Sequence, residues 1–159
     1  MPHRGSVSKE QMGAWVERLS AWDVFCTWTF ARLVTANGCV YWANRMLDKF
    51  QSRVAFPIRA FWAVECGPVG GLLHIHSVVS GVAGLQCYCG ERKQPGKWGD
   101  DCCLLHMWPC GYARVFEYDS RLGASFYVAK YVTKDFSEWG LYGHFPQAGV
   151  QTASNFHLG

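Results

Sequence analysis

Two apolar, β-branched runs stand on either side of the short turn Gly67-Pro68-Val69-Gly70-Gly71. The first is RAFWAVEC at 59–66 and the second LLHIHSVV at 72–79. Runs of this length and composition, bounded by Gly and Pro, read as strands, and so short a connection makes them antiparallel neighbours. A chain built around such a pair must bury at least one face of a sheet. Half of its 159 residues are apolar and 16% are aromatic, which supplies the material for a core and excludes a disordered chain. The length suits one domain, 1–159.

The other elements follow from periodicity. Residues 24–34 (VFCTWTFARLV) alternate and read as a strand, while residues 14–22 carry apolar positions at helical spacing and predict a first helix after a loosely ordered arm at 1–13. Asn37-Gly38 reads as a turn. In 41–54, Trp42, Met46, Leu47 and Phe50 form one face and Arg and Lys the other, which predicts an amphipathic helix ended by Pro57. Residues 112–118 (YARVFEY) predict a further strand, and 124–135 a last helix. Residues 81–111 read as an irregular, Cys-rich insertion, and the Gly-rich tail from 140 reads as loop. Strand, helix, two strands, strand and helix make an α+β fold, with an antiparallel sheet and helices on one side of it.

The formal charge of +3 permits nucleic-acid binding without arguing for it, although Arg114, Arg121, Lys130 and Lys134 lie close together. The first residues are polar and no apolar run approaches membrane length, which sets the expectation of a soluble, cytoplasmic protein with no membrane partner.

Three constellations carry chemistry. His74-Ile75-His76 on a strand sends both imidazoles to one face, and two neutral imidazoles are two corners of a metal site; a satisfied pair on a sheet surface has the same spacing. Glu65, on the strand paired with theirs, would add a carboxylate and leave open positions, which is how a catalytic metal site differs from a structural one. An edge ion pair is the alternative for Glu65. In YVAKYVTK (127–134), Tyr127 and Tyr131 stand four apart on one helix face, with Lys130 and Lys134 as a ridge beside them. Such a pair is also what the amphipathic edge of a helix looks like. A phenol titrating near 10 is a poor nucleophile, so adjacent ammonium groups or a metal would be needed to favour phenolate.

In that order, FCTWTF (25–30), HIHSVV (74–79) preceded by Glu65, and YVAKYVTK (127–134) resemble the three motifs of the HUH endonucleases. The last is similar to the two-tyrosine motif of rolling-circle replication initiators of phages and plasmids. The resemblance spans residues 24–134 and implies a ferredoxin-like fold with a five-stranded antiparallel sheet. It further implies that His74, His76 and Glu65 bind Mg²⁺ or Mn²⁺, and that Tyr127 or Tyr131 attacks a phosphate of single-stranded DNA, leaving a 5′-phosphotyrosine and a free 3′-hydroxyl. Lys130 and Lys134 would hold phosphate or position the nucleophile, and Thr27, Thr29 and Arg114 would lie near the DNA. A bacterial or archaeal host cell and a host helicase partner belong to the same picture, since no phosphate-binding loop is present in the sequence.

Cys87, Cys89, Cys102, Cys103, His106 and Cys110 crowd into the insertion. This composition admits structural Zn²⁺, reduced thiols or disulfides, and neither Cys-x-Cys nor Cys-Cys has the spacing of a usual zinc knuckle. Cys26, Cys39 and Cys66 read as small core residues. Tyr88, Trp98 and Trp108, beside Arg92, Lys93 and Lys97, are candidates for stacking on single-stranded DNA or for loop packing. Besides the initiator, a transposase or relaxase of the same superfamily and a nonenzymatic, zinc-stabilised single-strand-binding module fit these residues.

Overall fold

In the computed structural model, the residues described are 8–68, 70–85, 107–124, 126–127 and 138–146. The chain runs through α1 (Lys9–Leu19), β1 (Val24–Phe30), α2 (Ala36–Gln51), β2 (Arg59–Cys66), β3 (Leu73–Ser80), β4 (Gly111–Glu117) and β5 (Trp139–Tyr142). The five strands form one open sheet in the order β4-β1-β3-β2-β5, antiparallel throughout. The architecture is α+β, and the hairpin of β2 and β3 stands where the turn placed it.

Each strand presents alternate residues to opposite faces, and the two helices divide those faces between them. Cys26, Trp28 and Phe30 of β1, with Trp62, Val64, Ile75 and Val79, pack against Cys39, Ala43, Met46, Leu47 and Phe50 of α2. Phe25, Phe61, Ala63 and Val78, from the other face, pack against Val16 and its neighbours Met12, Trp15 and Leu19 of α1. The expected one-sided arrangement is therefore corrected. Both faces of the central strands are apolar over part of their length, and each needs a helix to cover it.

Capping explains why the helices start where they do. Ser8 and Gln11 form a capping box, with the Ser8 hydroxyl accepting from the Gln11 N–H and the Gln11 side chain accepting from the Ser8 N–H. That box starts α1 at Lys9, ahead of the apolar spacing that pointed to residue 14. Thr35 caps α2 by accepting from the Gly38 N–H at 3.1 Å, so Asn37-Gly38 lies in the first helical turn and forms no turn of its own.

Two regions differ from the expectation for tertiary reasons. Trp108, placed by sequence in the insertion, is fully buried. Its ring packs on Trp28, Phe30 and Trp42, and its indole N–H donates to the Thr29 carbonyl at 3.0 Å. It is a core residue and offers no surface for stacking bases. The tail read as loop contains β5, which adds a fifth strand along the outer edge of β2. Gly140 weakens its local signal yet is required there, since a Cβ would meet the Trp62 ring at 2.6 Å from Cζ2. Among the described residues, no helix is long and apolar enough to cross a membrane.

Candidate active site on the central strand

Placing β3 between β1 and β2 lines up side chains that are distant in sequence. Thr29, His74 and Glu65 are direct cross-strand partners, and Thr27, His76 and Ala63 form the next row. β4 extends both rows, with Tyr112 beside Thr29 and Arg114 beside Thr27. Because cross-strand partners share a face, all of these lie on the α1 side of the sheet. α1 covers the end of this face around Phe25, Phe61 and Val78, and its cluster reaches Ala63 in the second row.

The imidazoles are held from both sides. Their rings stack with centroids 6.2 Å apart and planes 16° from parallel. The Thr29 hydroxyl hydrogen-bonds His74 Nδ1 at 2.9 Å, and the Thr27 hydroxyl hydrogen-bonds His76 Nδ1 at 3.1 Å. Glu65 Oε2 lies 2.9 Å from His76 Nε2, in hydrogen-bond and ion-pair contact. His76 is buried, whereas His74 and Glu65 are half-buried. Thr27 and Thr29 thus engage the imidazoles directly.

Gly67 completes the pocket around His74. A Cβ at this position would fall on His74 Nε2 and within 2.9 Å of Cδ2. Gly67→Ala is therefore expected to push the His74 ring out of its place opposite Glu65. Overpacking of this kind costs about 1–3 kcal/mol, measurable as a lower urea midpoint with an unchanged slope.

Two imidazoles and a carboxylate on one face are a donor set suited to a divalent cation. As the side chains stand, no three His, Cys, Asp or Glu residues converge as metal ligands among the described residues. Glu65 is turned onto His76 Nε2, so their hydrogen bond occupies the position that a cation between the two would take. A rotation of the half-buried Glu65 would open it.

Tyr127 reaches the same face but is not directed at the histidines. Gly123, Ala124, Phe126 and Tyr127 are helical, in agreement with the start expected for the last helix. The Tyr127 ring lies against Phe25, centroids 4.8 Å apart, and Phe25 stacks on His76 at 5.9 Å with planes parallel within 1°. One phenyl ring thus separates phenol from imidazole. The Tyr127 hydroxyl accepts from the Asp119 N–H at 3.2 Å. Asp119 follows Tyr118, whose N–H donates to the Asp23 carbonyl, at the opposite end of β1 from Thr29. Tyr131, Lys130 and Lys134 lie outside the described residues.

Three residues with no sequence signal position this segment. The Glu17 carboxylate of α1 accepts from the Ala124 N–H, at the start of the tyrosine-bearing helical segment, and from the Tyr118 hydroxyl at 2.5 Å. Asp119 supplies the amide for Tyr127 and also holds Arg121 in an exposed ion pair at 2.8 Å. Burial, then the Glu17 carboxylate, pushes the Tyr118 phenol well above the usual tyrosine range. Although Tyr118 lies only 5.0 Å from Tyr127 ring to ring, it is kept neutral and is ill suited to attack. The Glu17 contacts join residues 101 and 107 apart, which is why local pattern carries no trace of them.

The remaining sequence candidates divide. Arg114 is exposed on β4, two strands from His76 or about 10 Å at ordinary strand spacing. Cys110 is free and half-buried against the core, and burial pushes its thiol up despite the opposing charge of Lys49. Cys87, Cys89, Cys102, Cys103 and His106 lie outside the described residues, as do Tyr88, Arg92, Lys93, Lys97 and Trp98. Cys26 and Cys39 are fully buried as expected, and burial raises the Cys39 thiol to about 11. Cys66 is corrected: as the last residue of β2 it is exposed. No known protein family, curated protein or solved structure matches the chain.

Proposed function

We propose that this protein is a metal-dependent endonuclease that nicks and rejoins single-stranded DNA through a tyrosine nucleophile, as a rolling-circle replication initiator of the HUH kind. The observation that carries the reading is the cross-strand placement of Thr29, His74 and Glu65 beside Thr27 and His76, with Tyr127 on the same sheet face. The ferredoxin-like arrangement of that superfamily belongs to the proposal, supported by an open antiparallel sheet whose central strand bears the histidines.

In this reading His74, His76 and Glu65 hold Mg²⁺ or Mn²⁺, which when bound polarises the scissile phosphate. The chain's own groups do the rest. β3, flanked on both sides, keeps the two imidazoles from shifting relative to each other. A tyrosine oxygen attacks phosphorus and the 3′ oxygen leaves, forming a phosphotyrosine. The phenol proton is released and the leaving oxygen takes one up, so no co-reactant is needed and the step reverses to rejoin the strand. Lys130 and Lys134 would offset charge on the phosphate.

The hydrogen bond that occupies the Tyr127 hydroxyl does not remove it from the reaction. Breaking one neutral hydrogen bond costs about 1 kcal/mol, roughly a fivefold reduction in the population free to attack. A transposase or relaxase of the same superfamily is the alternative enzyme reading of these residues. The pairing of Tyr127 with Tyr131 favours the initiator, in which a second tyrosine can cut the new junction while the first holds DNA.

A second reading, a nonenzymatic single-strand-binding module, draws on β4. There the half-exposed Tyr112 and Phe116 flank Arg114 on the site's face, as in stacking platforms for unpaired bases. One experiment separates the two. Incubated with labelled single-stranded DNA carrying hairpin nick sites and Mn²⁺, the protein is expected to give a DNA adduct that survives a denaturing gel and disappears with EDTA. DNA retention on a native gel without any adduct would replace the endonuclease by the binding module.

A further inference from the structure

The resemblance to the HUH endonucleases implies that Thr27 and Thr29 lie near DNA, yet both hydroxyls are engaged on imidazole nitrogens. We infer that Thr27 and Thr29 are positioning residues: their hydroxyls hold His76 and His74 by Nδ1, and so turn both Nε2 atoms toward the Glu65 and Gly67 side of the sheet. The inference rests on the endonuclease reading only for its use; the placement itself stands on geometry.

Several observations converge on it. The two contacts are equivalent, each joining a β1 threonine to the β3 histidine directly opposite it. Both use Nδ1. The two Nε2 atoms then have related surroundings: that of His76 meets Glu65 Oε2, and that of His74 lies against Gly67, where a Cβ would collide with it. An ordinary polar pair on a wet sheet surface would not require room to be cleared at the far nitrogen.

Threonine suits the task chemically. Its β-branched side chain has few rotamers on a strand, so the hydroxyl stays opposite its imidazole. A hydroxyl also both donates and accepts, so it can pair with Nδ1 in either tautomer. This matters most at His76. While Nε2–H faces Glu65, a neutral His76 leaves Nδ1 bare and Thr27 donates to it. If Nε2 instead offers its lone pair to a cation, the proton stands on Nδ1 and Thr27 accepts. Besides the turn of Glu65 that frees Nε2, only the Thr27 hydroxyl has to rotate, and it accommodates both states. A residue able only to donate or only to accept would favour one state at the expense of the other. Partners of this kind, behind a metal-binding histidine, contribute about 10–100-fold in metal affinity.

The test uses the full chain labelled with ¹⁵N-histidine, with Thr27→Val, Thr29→Val and the corresponding serine variants. Long-range ¹⁵N–¹H correlation spectra read the tautomer of each ring, and calorimetric titration with Mn²⁺ reads affinity. The metal-free parent is expected to show single tautomers at His74 and His76, with Nε2 of His76 protonated. Thr27→Val should disturb the His76 signals and Thr29→Val those of His74. Each should weaken Mn²⁺ binding about tenfold or more, and the serine variants should restore both properties.

Valine variants with parental tautomers and parental Mn²⁺ affinity would overturn the inference, as would serine variants that behave like valine. If the parent binds no Mn²⁺ and forms no DNA adduct, the endonuclease reading fails by itself. The ¹⁵N spectra still decide whether the threonines hold the rings.

Discussion

Replacing both Tyr127 and Tyr131 by phenylalanine is expected to abolish the covalent protein–DNA adduct while leaving the fold and DNA retention intact. Phenylalanine keeps the ring that packs on Phe25 and Tyr118 and removes only the hydroxyl. At Tyr127 the loss to stability is that of one hydrogen bond from the Asp119 N–H, about 1 kcal/mol. Without a phenol oxygen no phosphotyrosine can form, so the effect on the adduct is a complete loss. Tyr127→Phe alone should retain adduct formation through Tyr131 and lose the second transfer, seen as failure to resolve a cleaved junction. Substituting His76 by alanine should act differently. The tyrosines remain, but several kcal/mol of phosphate polarisation is lost, on the order of 10³-fold in rate. An adduct of undiminished yield from the double phenylalanine variant would assign the chemistry to another residue. Tyr118 is a poor substitute, because burial and Glu17 hold its phenol neutral.

Trp28→Ala should give the largest loss of stability in the sheet core, about 3–5 kcal/mol. Trp28 is fully buried in the middle of β1, with its ring edge-on to Phe50 at 5.8 Å and stacked on Trp108 at 6.0 Å. It joins the sheet, α2 and the segment leading into β4. For a chain of this length the loss corresponds to a fall in Tm on the order of 10 °C. Trp28→Phe separates packing from polarity. The Trp28 indole N–H is buried without a partner among the described residues, so phenylalanine gives up volume but also removes an unsatisfied donor. Its cost is expected to stay below about 1.5 kcal/mol. Equal losses for alanine and phenylalanine in urea titration would mean that the indole nitrogen is satisfied and holds the core.

Some of this protein can be read residue by residue from local pattern. β2 coincides with the run at 59–66 because apolar β-branched and aromatic residues are bounded on one side by Pro57 and on the other by Gly67-Pro68. α2 was legible from its buried stripe, but its start was not, because Thr35 acts through a cap that periodicity does not register. β5 is not legible in the sequence, because four residues containing Gly140 carry no alternation long enough to recognise. Its existence depends on the outer edge of β2 and on space beside Trp62. The burial of Trp108 is hidden in the sequence, because a tryptophan among Cys, Gly and charged residues looks like loop until Trp28, Phe30 and Trp42 are brought around it.

The histidine pair divides in the same way. The two-residue period of a strand determines, from sequence alone, that His74 and His76 share a face and that Thr27 and Thr29 share one. The short turn at Gly67 determines that Glu65 lies near them. That the threonines face the histidines, and that Phe25 stands between His76 and Tyr127, follows only from the insertion of β3 between β1 and β2. Strand order is settled by which apolar faces α1 and α2 can cover together. That is a balance over the whole core, and no local run of residues contains it.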